Sequence, residues 1–279
     1  NLDWPMRKKN REKIWVRIAG DPVRDKDEVL WTVVDITERV KAKEKIDQLA
    51  SKLSRYLSPQ VYQSIFSGKK NVKIEAYRKK LTVFFSDIKG FTEITDRLEP
   101  EVLSTLLNSY LNEMSKIALK YGGTIDKFVG DAILIFFGDP ETKGDKEDAY
   151  SCVLMALEMQ ERMHHLKNLW EGQGITNPLE IRIGINTGYC NVGNFGSENR
   201  LDYTIIGGEV NLASRLESNA MTGQILISQE TYALIKKYIV CEKKDEIKVK
   251  GIAHKIQTYQ VVGAYENIAK RRKILNKKF

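Results

Sequence analysis

Residues 124–137, TIDKFVGDAILIFF, constrain the chain more than any other stretch. Apolar residues flank Gly130 and Asp131 on both sides, so the stretch reads as two strands folded back on a tight polar turn in an otherwise buried ribbon. Lys127 and Asp131 stand in or beside that ribbon, and a buried charge is costly unless it is paired or holds a metal or ligand. A surface hairpin with one wet face would satisfy the pattern equally well, so the decision rests on the rest of the chain.

At 279 residues there is room for one large domain and an appendage. No run of about 18 apolar residues occurs, so no membrane-spanning helix is expected, and the charged N-terminus does not read as a signal peptide. Cys152, Cys190 and Cys241 lack metal-ligand spacing and read as reduced thiols of a cytoplasmic protein. The net charge of +8 is partly carried by a basic tail, residues 266–279, which reads as a solvated terminus. The body lacks a basic stripe with interleaved aromatics, so no nucleic-acid partner is expected.

Residues 1–37 contain two strand-like pieces, KIWVRIAG and EVLWTVVDIT, too few to stand alone. Residues 38–57 are charged and free of Gly and Pro, with Ile46, Leu49, Leu53 and Tyr56 at alternating steps of three and four. That is a short heptad seam, and parallel pairing through a coiled coil is expected, with a connector to residue 68. The strand LTVFFSDIKGFT delivers Asp87 to a glycine turn and a helix start. A carboxylate and free backbone N–H groups at Gly90, Phe91 and Thr92 suit a cation with phosphates, although a capping Asp in a plain turn gives the same pattern. A helix over 101–121, the hairpin, and a second helix over 146–170 follow. His164 and His165 near its end have no third ligand at fixed spacing and read as surface residues. Strand LEIRIGINTG leads into a Gly/Asn-rich segment read as a loop, YCNVGNFGSENR. DYTIIGGEVNLASRLE then joins a strand to a helix carrying Asn211 and Arg215 on one face, and strands around ILIS, DEIKVKG and KIQTYQVVG complete the order. The expected class is α+β, a ferredoxin-like antiparallel sheet with helices on one face, occupying 75–265 after the helical linker.

Four stretches, FFSDIKGFT, KFVGDAILIFF, DYTIIGGEVNLASRLE and VKG, together resemble a class III nucleotide cyclase catalytic domain in order and spacing. The D-I-T ending of the N-terminal strands resembles the exit of a PAS sensor domain, which would make residues 1–37 its C-terminal remnant. The cyclase resemblance implies a bacterial-type enzyme that converts ATP to 3′,5′-cyclic AMP and pyrophosphate. It implies two divalent ions, Mg²⁺ or Mn²⁺, held by Asp87, Asp131 and the Ile88 carbonyl, with Asn211 and Arg215 serving the transition state. Lys250 would hold the terminal phosphates and Arg200 another phosphate oxygen. Lys127 would donate to N1 of adenine and Thr204 would accept from its amino group, where guanylate cyclases of the family typically carry Glu and Cys. The resemblance further implies a homodimer with two shared sites. Guanylate cyclase and a non-catalytic nucleotide-binding or dimerisation module are the alternatives; the GG-D/E-E-F turn of diguanylate cyclases is absent, since this chain reads FVGDA.

Overall fold

The computed structural model describes residues 2–22, 28–67, 73–172, 175, 179–249 and 255–265. The chain divides into two compact units, residues 1–57 and 58–279.

In the first unit, β1 (Leu2–Arg7), β2 (Lys13–Pro22) and β3 (Val29–Asp35) form an antiparallel sheet in the order β1-β2-β3. The strand Leu2–Arg7 was not expected from its sequence, in which Pro5 interrupts the pattern. Helix α1 (Thr37–Leu53) follows, then a 3-10 turn over Ser54–Tyr56. The turn into α1 is fixed by its own side chains: Asp35 Oδ1 accepts from the Thr37 N–H (2.9 Å), and the Thr37 hydroxyl accepts from the Trp15 N–H (2.9 Å). Ile46, Leu49, Leu53 and Tyr56, the residues of the expected seam, are all exposed in the single chain.

The second unit opens with α2 (Pro59–Phe66), tied down by Gln60, whose amide donates to the Gly123 carbonyl (2.9 Å). Its sheet comprises β4 (Ala76–Ile88), β5 (Thr124–Val129), β6 (Ala132–Phe137), β7 (Ile181–Ser197), β8 (Arg200–Ile206), β9 (Ile225–Ser228), β10 (Ile239–Lys243) and β11 (Thr258–Ala264). The order is β10-β11-β9-β7-β4-β6-β5, with β8 paired to β7. The helices are α3 (Phe91–Thr95), α4 (Pro100–Tyr121), α5 (Asp145–Gly172), α6 (Gly208–Asn219) and α7 (Gln229–Ile235).

Three expectations are corrected by this topology. The sheet is mixed, because β7 and β9 run parallel from Ile183↔Ile225 to Ile185↔Ile227. Helices cover both faces rather than one. Phe84, Ile133, Ile135, Ile183 and Ile185 pack beneath α4 and α5, while Leu81, Val83, Leu134 and Phe136 pack with Ile205 of β8 and Val210 and Ala213 of α6. Alternation along the strands sends odd and even neighbours to opposite layers. Gly184 makes the second layer possible, since a Cβ there would lie 2.1 Å from the Glu217 nitrogen and 2.3 Å from the Ala213 oxygen on α6.

The third correction concerns residues 189–200, which form strand and a two-residue turn rather than a loop. Their pairing runs to both sides: β4 extends back to Ala76 to meet Gly193, and β8 returns along Asn191 to Ser197. Gly193 (φ 152°) allows the close approach, because a Cβ would sit 2.1 Å from the Glu75 carbonyl oxygen. Near the C-terminus, α7 and β10 were not foreseen. Among its described residues, 245–249, DEIKVKG contributes one bridge, Ile247↔Ile256, instead of a strand. His164 and His165 are exposed.

Candidate active site

The β5–β6 hairpin forms as expected, closing from Val129↔Ala132 across Gly130 and Asp131. It is not buried throughout: β6 is interior, whereas β5 is the sheet edge and exposes Lys127, Phe128 and Val129. Because β6 pairs with β4 up to Ser86↔Ile133, the hairpin tip brings Asp131 against the end of β4, where Asp87 and Ile88 emerge. Asp131 Oδ2 accepts from the Ile88 N–H at 3.0 Å. Burial, and then the Asp87 carboxyl within hydrogen-bonding reach, push the Asp131 carboxyl up to about 6.

A crowded carboxylate pair of this kind is the chemistry a divalent cation stabilises. Among the described residues no three His, Cys, Asp or Glu side chains converge to hold a metal. An ion at Asp87 and Asp131 would therefore take its other ligands from backbone carbonyls, water or substrate oxygens, which fits Mg²⁺ or Mn²⁺ carrying phosphates. Beside the pair, Gly90 (φ 69°) turns the chain into α3, whose first-turn N–H groups at Phe91 and Thr92 have no helical acceptor.

Sequence reasoning missed Arg182. It stands opposite Asp87 in the β4–β7 register, where it read only as one polar member of an alternating strand. Its Nη2 donates to Asp87 Oδ2 (3.1 Å) and its Nε pairs with Glu217 Oε1 of α6 (2.5 Å). Glu217 is buried, and desolvation raises its carboxyl pKa against the lowering effect of Arg182. Arg182 thus ties the carboxylate strand to α6.

On α6, Asn211 and Arg215 are exposed and one turn apart, as expected. Ala213 and Glu217 point to the sheet, so Arg215, two residues from each, and Asn211, two residues before Ala213, face the other way. Among the described residues no hydrogen bond or ion pair joins them to Asp87 or Asp131, whose partners are Arg182 and the Ile88 N–H. Arg200 opens β8 opposite Ser197, a strand position instead of the loop expected for it. Lys250 lies outside the described residues.

Lys127 and Thr204, far apart in sequence, both reach the carboxylate of Asp126. The β5–β6 register slips between Ile125 and Lys127, leaving Asp126 as an extra residue. The Asp126 side chain is 1% exposed; its Oδ2 accepts from the Thr204 hydroxyl (2.6 Å) and the Ile205 N–H (3.3 Å), and its Oδ1 lies 3.4 Å from Lys127 Nζ. Burial raises the Asp126 pKa, while Thr204 and Lys127 pull it down. Strand β8 is fixed one residue earlier, where the Tyr203 hydroxyl donates to buried Asp139, which also accepts from Tyr77 (2.5 Å) and Lys79 (3.0 Å). Asp126 was also missed; an Asp inside a strand, next to a Lys, was its available signal.

Residues 72–263 match the Adenylate and Guanylate cyclase catalytic domain. The chain belongs to this family. It is 34% identical over 228 residues to the terminal-differentiation specific adenylate cyclase of Dictyostelium discoideum, covering 79% of this chain and 10% of that protein. It is 32% identical over 190 residues to adenylate cyclase 1 of Rhizobium meliloti, covering 67% and 28%. The chain thus spans well under half the length of these curated relatives. The crystal structure of the adenylyl cyclase CyaB from P. aeruginosa is 64% identical with a TM-score of 0.67, over 68% of this chain and 96% of that one. The guanylyl cyclase Cya2 is 37% identical with a TM-score of 0.66, over 69% and 96%. Relatives of both base preferences are therefore similar to this cyclase domain.

Proposed function

We propose that this chain is an adenylate cyclase that acts as a homodimer with two shared sites. The observation that carries the choice of base is the meeting of Lys127 and Thr204 on one carboxylate. Lysine is a pure donor and suits adenine N1, which in guanine carries a hydrogen; a hydroxyl can accept from the 6-amino group, which in guanine is a carbonyl. The similarity to CyaB and to curated adenylate cyclases supports the same choice.

In this reading the carboxylates of Asp87 and Asp131 and the carbonyl of Ile88 hold the cations. Two divalent ions, when bound, lower the pKa of the ribose 3′-hydroxyl and neutralise the leaving pyrophosphate. Asn211 orients the ribose so that its 3′-oxygen faces the α-phosphorus, opposite the bond to the β-phosphate. Arg215 meets the charge that builds on the α-phosphoryl oxygens as that bond breaks. Phe91 and Thr92 offer backbone N–H groups to phosphate, with Arg200 and Lys250 as further cations. Asn211 and Arg215 are exposed on the face of α6 turned from the sheet of their own chain, where a second copy would meet them. Exposed Phe128 and Val129 on the β5 edge offer apolar surface for that pairing.

The first unit serves as the output end of a PAS-like sensor. The Asp35–Thr37 turn joins its sheet to α1, whose exposed apolar seam pairs with that of a second copy as a coiled coil. Incubation with Mn²⁺ and ATP or GTP, followed by identification of the cyclic product, tests the reading. Cyclic AMP formed in preference to cyclic GMP is expected. Preference for GTP overturns the roles of Lys127 and Thr204, and turnover of neither returns the chain to a non-catalytic module.

A further inference from the structure

A threonine hydroxyl is ordinarily an ambiguous reader, because it can donate or accept and so tolerates either the amino group of adenine or the carbonyl of guanine. In this chain the ambiguity is removed by a neighbour. Asp126 Oδ2 takes the Thr204 hydroxyl at 2.6 Å and the Ile205 N–H at 3.3 Å, while Oδ1 faces the Lys127 ammonium at 3.4 Å. With donors on both of its oxygens, the carboxylate acts as acceptor, and the Thr204 proton is committed to it. The lone pairs left on Thr204 Oγ1 can then only accept.

The arrangement depends on the slip in β5. Strict alternation would send the side chains of Asp126 and Lys127 to opposite faces of the sheet; the extra residue lets both reach one place, beside β8. The Asp126 side chain is 1% exposed and Thr204 is 6% exposed, whereas the Lys127 side chain is 42% exposed. The buried acid therefore organises two groups, Lys127 open to solvent and Thr204 keeping a small accessible share.

We propose that Asp126 is the positioning residue that makes this site select adenine, by fixing Thr204 as an acceptor and Lys127 as the donor beside it. The inference rests on the adenylate cyclase reading and adds the device that enforces it. Asp126 touches no substrate in this account and acts through its two neighbours.

The test compares kcat/KM for ATP and for GTP in the full chain bearing Asp126→Ala, Asp126→Asn, Thr204→Val, or Asp126→Ala with Thr204→Val. Asp126→Ala should lower the ATP-to-GTP ratio about tenfold, the scale of one misdirected buried hydrogen bond. Asp126→Asn keeps a carbonyl oxygen that can take the Thr204 proton and should retain most of the preference. Asp126→Ala with Thr204→Val should lose less preference than the two single losses added, since both changes disable the Thr204 acceptor. A merely structural Asp126 would reduce turnover of both nucleotides alike and leave the ratio intact, and that result overturns the proposal. Should Asp126→Ala not fold, loss of preference in Thr204→Val and its retention in Asp126→Asn support the proposal, while unchanged preference in Thr204→Val sinks it. If the unaltered chain cyclises neither nucleotide, the function reading fails separately. Binding of non-hydrolysable ATP and GTP analogues to the same variants then reads the selection, and equal ratios throughout refute it.

Discussion

Asp126 and Asp131 sit on the same hairpin, and both have carboxyls raised by burial. They differ in what surrounds them. Asp126 is met by a hydroxyl, a backbone N–H and an ammonium, all donors, within its own chain. Asp131 is met by two backbone N–H groups, its own and that of Ile88, and by a second acid, Asp87, and is lifted to about 6. A buried acid surrounded by donors has its charge answered and serves to hold neighbours in place. An acid crowded by another acid has a deficit that a cation from outside can fill. The contrast fits the proposed roles, Asp126 as a positioning residue and Asp131 as a metal ligand.

The largest effect that could break this contrast is catalytic. Asp87→Ala and Arg215→Ala should each lower cyclase turnover by about 100-fold or more, the scale of losing one charge-stabilising group. Mixing the two variants should restore roughly a quarter of the wild-type sites, because random pairing of a two-fold dimer makes half the molecules mixed, each with one intact site. No recovery, with mixed dimers demonstrated by mass, would place all groups within one chain.

Exchanging the base readers comes next. Lys127→Glu with Thr204→Cys should move preference from ATP toward GTP by about tenfold or more, while the Mn²⁺ dependence stays with Asp87 and Asp131. A lost metal response would mean that the two ends of the hairpin are not separate devices. A smaller, structural effect is expected at Arg182. Arg182→Ala strands buried Glu217 and should lower unfolding stability by about 2 kcal/mol in denaturant titration. A neutral outcome would show that α6 is held by packing on Gly184 alone.

The smallest effect is a pH dependence. In metal-free protein the folded state holds the Asp131 proton up to about 6, whereas the unfolded chain releases it near 3.8. Stability from this group is therefore full below the lower value and declines as pH rises through about 6. Asp131→Asn should flatten that decline and raise metal-free stability at neutral pH by on the order of 1 kcal/mol, after allowing for solvent screening. A decline that persists in Asp131→Asn would assign it to another group.

Much of the second unit was legible because its signals are local. The hairpin, the two long amphipathic helices, and Asp87 at a strand end before a glycine turn all follow from short-range pattern. What escaped depends on partners distant in sequence. Residues 189–200 are rich in Gly and Asn, which strands ordinarily disfavour, yet pairing on both sides makes them strand. The slip at Asp126 is a property of the β5–β6 register, and the burial of Asp126 against Thr204 requires β8 to fold across. Arg182 fits a plain alternating strand, and only the β4–β7 register places it against Asp87. The second helical layer depends on a missing side chain at Gly184.

The two aspartates can be set against each other in one measurement: thermal unfolding at neutral pH of wild type, Asp131→Asn and Asp126→Asn, with and without millimolar Mn²⁺. A ligand that binds only the folded state raises Tm. The account predicts that Mn²⁺ raises the Tm of wild type and of Asp126→Asn and leaves Asp131→Asn unmoved. An undiminished shift in Asp131→Asn, or a shift abolished in Asp126→Asn, would contradict it.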